Sequence, residues 1–122
     1  MTKIMVVDDE QDLREMIDLL MRKEGYETAT AENGADFLEK IESFHPDLVT
    51  LDVMMPGLTT KDILTELKGK KRKTKIILLT VVRFTEKEKQ TLMDMGNIVD
   101  YLPKPFEVND LLHIVHKHLK NN

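Results

Sequence analysis

Acidic residues stand where apolar runs stop. "VVDDE" (Val6–Glu10) puts Asp8, Asp9 and Glu10 directly after an apolar stretch, and "LVTLD" (Leu48–Asp52) ends in Asp52. "ILLT" (Ile77–Thr80) ends in a hydroxyl, and Lys104 lies between two prolines in "PKP". A carboxylate at the end of a buried run is costly without partners. If the first and third runs are neighbouring strands, about 4.8 Å apart, then Asp8, Asp9 and Asp52 converge. Two unit charges about 4 Å apart repel by roughly 4 kcal/mol at an effective dielectric of about 20. Either pKa values rise or a cation sits among them, and hard oxygens with open positions suit Mg²⁺. An aspartate beside Mg²⁺, a lysine and a hydroxyl is equipped for phosphoryl transfer. The carboxylate acts as nucleophile, while metal and lysine stabilise charge on the transferred oxygens.

The elements that must position these residues are readable from periodicity. Five short runs read as strands: Lys3–Asp8, Tyr26–Ala31, Asp47–Asp52, Lys75–Thr80 and Ile98–Pro103. The first, third and fourth are nearly continuous in apolar residues, the pattern of strands buried on both faces. The second suits an edge. Between them the period becomes helical. Leu13, Met16, Ile17, Leu20 and Met21 stripe a first helix, stopped by Gly25. Asn33 can open a second, carrying Phe37, Leu38, Ile41 and Phe44 and ending before His45-Pro46. Ile63, Leu64 and Leu67 mark a third. Thr85 and Glu88 have capping-box spacing and should start a fourth, with Gly96 after its end. Phe106, Leu111, Leu112, Val115 and Leu119 stripe a fifth. Strict β-α alternation predicts an α/β, doubly wound parallel sheet with helices on both faces. Sites in such sheets lie beyond the carboxyl ends of the strands, where Asp8, Asp52 and Thr80 fall.

The 122 residues fit one domain, expected to be single over 1–122 with no output domain. The net charge of −4 argues against non-specific nucleic-acid binding. One basic run, "KGKKRK" (Lys68–Lys73), reads first as a solvated helix end. The absence of cysteine excludes disulfides and thiolate chemistry. No stretch approaches the roughly 18 apolar residues of a membrane span, and acids follow the N-terminal apolar run, so a cytoplasmic location is expected.

The motifs "VVDDE", "DLVTLDVMMPG" (Asp47–Gly57), "ILLT" and "DYLPKPF" (Asp100–Phe106) resemble those of the receiver domain of two-component response regulators, in the same order over nearly the whole chain. The resemblance implies a flavodoxin-like (βα)5 three-layer sandwich with strand order 2-1-3-4-5. It implies that Asp52 is the phosphoacceptor for a sensor histidine kinase. Asp9 and Asp52 would ligate Mg²⁺ with the backbone carbonyl of Met54, and Asp8 largely through water. Lys104 would pair with phosphoryl oxygens, Thr80 would move to hydrogen-bond them, and Tyr101 would change rotamer in response. The Lys104–Pro105 bond would be cis. Output would pass through the surface of the fourth helix, fifth strand and fifth helix to an effector protein. The implied protein neither binds DNA directly nor enters a membrane, and is a monomer or a phosphorylation-dependent dimer.

Several positions depart from the usual pattern of that family. Val81 follows Thr80, where alanine or glycine is usual, and should narrow access. Met54 and Val82 stand where fast-hydrolysing members carry polar groups that orient water, so a slowly hydrolysed acyl phosphate is expected. "PGLTTKD" lacks a second glycine, with Thr60 near its place, and "GNIVDY" carries one residue more before Tyr101 than the usual loop. Blander readings of the same residues exist. The acids at 8–10 could simply cap the first helix. Tyr101 could be a core aromatic. His113, His116 and His118 spread over more than one helix face, which argues against zinc. An aspartyl-phosphate phosphatase would need a second acid two residues after the nucleophile, where Met54 stands. The remaining alternative is a protein-binding module that is not phosphorylated.

Overall fold

The computed structural model describes residues 1–70 and 73–119. Five strands alternate with five helices: β1 (Lys3–Val7), α1 (Gln11–Lys23), β2 (Glu27–Ala31), α2 (Gly34–Phe44), β3 (Leu48–Asp52), α3 (Thr60–Gly69), β4 (Lys75–Thr80), α4 (Glu86–Asp94), β5 (Ile98–Pro103) and α5 (Val108–Leu119). The strands form one parallel sheet in the order β2-β1-β3-β4-β5. Successive side chains on a strand point to opposite faces, and here both faces are covered. Met5, Val7, Val49 and Leu51 meet Phe37, Ile41, Leu64 and Leu92, so α2, α3 and α4 share one side. Ile4, Val6, Leu48 and Ile77 meet Ile17, Met21, Leu111 and Val115 of α1 and α5 on the other. The apolar continuity of β1, β3 and β4 is thus the consequence of burial on both sides.

The helix starts follow local capping chemistry. Asn33 accepts the Asp36 N–H at 2.8 Å, and Thr85 and Glu88 form a reciprocal capping box. An equivalent box, Thr59 with Asp62, opens α3. Element ends differ from expectation by a residue or two. Asp8 lies just past β1, while Tyr26 and Asp47 precede β2 and β3. Phe106 packs against the α1/α5 core from the loop before α5. Met16 is exposed, because the buried stripe of α1 centres on Ile17 and Met21.

The extra residue before Tyr101 is absorbed as a β-bulge. Ile76 pairs with Ile98, but the next residue, Ile77, pairs with Asp100, so Val99 has no counterpart on β4. Gly96 and Asn97, both with positive φ, make the turn into the strand. Downstream the register is regular, with Tyr101 opposite Leu78 and Pro103 opposite Thr80. Of "KGKKRK", Lys71 and Arg72 lie outside the described residues, as do the last three residues of the chain.

Candidate functional site

Asp52 is the last residue of β3, and Asp8 follows the end of the adjacent β1. Parallel pairing therefore delivers both to the same sheet edge, and one carboxylate oxygen from each of Asp8, Asp9 and Asp52 lies within 4.8 Å of the others. Asp8 is 1% and Asp52 5% exposed, whereas Asp9 faces solvent. Lys104 follows β5 and is anchored by its own N–H to the Thr80 carbonyl at 2.9 Å. Its Nζ lies 3.1 Å from Asp8 Oδ2 and 3.4 Å from Asp52 Oδ1. The Lys104–Pro105 peptide is cis.

Further bonds hold the carboxylates in place. Asp8 Oδ1 accepts the Glu10 N–H at 2.9 Å, and the Arg14 guanidinium donates to the Asp8 carbonyl at 2.8 Å. Glu10, the residue before α1, makes no side-chain cap, so these acids do not serve as a conventional N-cap. Asp52 Oδ1 accepts the Met54 N–H at 3.2 Å. Burial pushes the Asp52 carboxyl above its ordinary value, and the charge of Asp8 adds to this. Lys104 and the Met54 N–H pull the other way without cancelling it. Three carboxylates and one ammonium leave the cluster with two net negative charges. A divalent ion with a preference for hard oxygen fits that deficit and that donor set.

The Thr80 and Tyr101 hydroxyls are both engaged in bonds outside the cluster. The Thr80 hydroxyl accepts the Val82 N–H at 2.8 Å. The Tyr101 hydroxyl donates to the Lys89 carbonyl of α4 at 3.0 Å. Its ring meets Phe84 edge-on at 5.9 Å, and burial raises its pKa. Met54 and Val81 are 59% and 62% exposed. The histidines do not converge: His116 pairs with Glu24 and His118 with Asp100. Among the described residues, Asp8, Asp9 and Asp52 form the only cluster of metal-ligating type. Sequence reasoning missed Arg14 and Phe84. Arg14 sits one turn into α1 on the side of Asp8, a spacing that could have been noticed. Phe84 carried no signal beyond its apolarity.

The profile of the response regulator receiver domain matches residues 4–116. The chain belongs to this family. Receivers are signalling modules of two-component systems, not turnover enzymes on external substrates. A Bacillus subtilis relative, described as an uncharacterized transcriptional regulatory protein, YkoG, is 35% identical over 119 residues. The match covers 98% of this receiver and 51% of that relative, so the chain spans about half the relative's length. Response regulator TrrA of Thermotoga maritima, crystallised with Mg²⁺-BeF, is 37% identical with a TM-score of 0.79, covering 97% of this chain and 99% of TrrA. Chemotaxis protein CheY4 of Vibrio cholerae is 28% identical with a TM-score of 0.86, covering 96% and 98%. No helix among the described residues is long and apolar enough to cross a membrane.

Proposed function

We propose that this receiver accepts a phosphoryl group on Asp52 from a sensor histidine kinase. The observation that carries this reading is the meeting of Asp8, Asp9, Asp52 and Lys104 at one point of the sheet's carboxyl edge. An Asp52 oxygen attacks phosphorus, forming an O–P bond as the P–N bond to the kinase histidine breaks. Lys104 then pairs with the phosphoryl oxygens in place of carboxylate. Asp9, Asp52, the Met54 carbonyl and, through water, Asp8 would hold Mg²⁺, which when bound supplies positive charge opposite those oxygens. The TrrA complex with Mg²⁺-BeF supports the same assignment here.

The modification adds about −1.5 to −2 charges at one point. To donate to a phosphoryl oxygen, the Thr80 hydroxyl must give up the Val82 carbonyl, to which it donates at 3.4 Å, and the Tyr101 hydroxyl must leave the Lys89 carbonyl to change rotamer. These releases couple Asp52 to the surface of α4, β5 and α5, where an effector protein or a second receiver would bind. The reaction belongs in the cytoplasm.

Intact-mass measurement after incubation with acetyl phosphate and Mg²⁺ tests the assignment. One phosphoryl group should appear, and it should be lost with EDTA and in Asp52→Asn. If wild type forms no Mg²⁺-dependent adduct, the protein is instead a binding module that works without phosphorylation.

A further inference from the structure

A groove of about 530 Å³ opens between α3 and α4, away from the β5–α5 surface. Its apolar lining is Val53, Met55, Phe84 and Leu92, of which Leu92 is buried and the others half-buried. Lys61 of α3 and Lys87 of α4 stand exposed on its two walls, and the acid that also lines it, Glu88, is taken up by the α4 capping box. Each lysine lies in the first turn of its helix, where the macrodipole disfavours positive charge. The acids of those same turns are committed elsewhere. Asp62 accepts the Thr59 N–H at 3.0 Å, Glu88 accepts the Thr85 N–H at 2.8 Å, and Glu86 pairs with Lys89 at 3.5 Å. Neither the Lys61 nor the Lys87 ammonium has a hydrogen-bond or ion-pair partner among the described residues. An apolar trough is thus flanked on both sides by cations whose local setting works against them.

We infer that this groove docks a segment of a partner protein that carries apolar side chains flanked by acidic residues. The apolar residues would cover Val53, Met55, Phe84 and Leu92, and the acids would pair with Lys61 and Lys87 on opposite walls. Exposed walls favour a peptide over a fatty carboxylate, because small-molecule sites enclose most of their ligand's surface. The inference does not depend on phosphorylation of Asp52.

The test uses a fluorescein-labelled peptide with a central Leu-Phe pair and aspartates on either side, titrated with the metal-free protein. Binding is followed by anisotropy and by amide and methyl NMR shifts. Saturable binding is expected, with shifts confined to Val53, Met55, Phe84, Leu92 and their neighbours. The double variant Lys61→Glu/Lys87→Glu, exposed at both positions, should keep its fold by circular dichroism and weaken binding by about tenfold or more. A lysine-flanked peptide and a peptide with serines replacing Leu-Phe should each bind far more weakly. No shift up to about 1 mM peptide would overturn the proposal, as would equal binding of the lysine-flanked peptide. So would shifts confined to another face, or decanoate binding where the peptide does not.

Discussion

At the scale of single residues, Asp52 is held in a form the metal-free fold disfavours. Its pKa is raised, chiefly by burial and then by Asp8, so folding disfavours the charged carboxylate relative to the unfolded chain. The stability it contributes is complete below the ordinary Asp value of about 3.9 and is lost as pH rises through the higher folded value. Asp52→Asn should therefore raise the melting temperature in EDTA at neutral pH by a few degrees, and the gain should shrink toward zero at acid pH. Mg²⁺ should stabilise wild type more than the variant, and thermal melts at two pH values with and without Mg²⁺ check all three outcomes. A second prediction concerns lifetime. Exposed Met54 and half-buried Val82 offer no side-chain hydrogen bond to an attacking water. The acyl phosphate should hydrolyse slowly, and Met54→Asn should shorten its lifetime by about tenfold, worth roughly 1.4 kcal/mol of barrier. A wild-type half-life of seconds at room temperature, read from dephosphorylation time courses, contradicts this. The cluster itself was legible because a carboxylate that ends a buried strand opposes folding unless a cation or a hydrogen-bond donor meets it. Arg14 was overlooked because it acts through the Asp8 backbone, so its spacing from Asp8 is the one trace it leaves in the sequence.

Among the elements, α4 is the least embedded. Leu92 is its one buried residue, its start is fixed by the Thr85–Glu88 capping box, and the Tyr101 hydroxyl on the Lys89 carbonyl ties it to β5. Tyr101→Phe removes that tether while keeping the ring against Phe84. The expected cost is about 0.5–1.5 kcal/mol, with hydrogen exchange accelerated in α4 and unchanged in β1 and β3. Equal protection of α4 in both proteins would show that the hydroxyl does not hold the helix. The box at Thr85 was readable because Glu follows at the required spacing. Its counterpart at Thr59 was not, since two adjacent threonines and an aspartate leave the register open. The bulge at Val99 shows why strand length is harder to read than strand existence. The extra residue disturbs pairing only upstream of Asp100, so the spacing from Tyr101 to Lys104 still matches the edge of β4.

For the molecule as a whole, the two apolar layers meet at β3, all of whose residues are buried. Thr50 lies in the middle of that strand, flanked by Val6 on β1 and Ile77 on β4. Its Oγ1 is one of two buried side-chain atoms, with Asp18 Oδ1, that lack a hydrogen-bond partner among the described residues. A hydroxyl taken out of water without a partner opposes folding. Thr50→Val keeps the β-branched shape that suits a central strand and replaces the hydroxyl with a methyl of similar size. Global stability should rise by about 1 kcal/mol, seen as a higher urea midpoint at unchanged slope and a melting temperature up by about 4 °C. Phosphorylation of Asp52 should be unaffected, because Thr50 is two residues inside the sheet and belongs to no bond in the cluster. A loss of stability instead would mean that the hydroxyl has a partner in solution, such as a buried water. A changed slope would mean that the unfolded reference had moved rather than the core. Either outcome would separate the packing of the sheet from the chemistry at its edge, which share a strand but not an energetic origin.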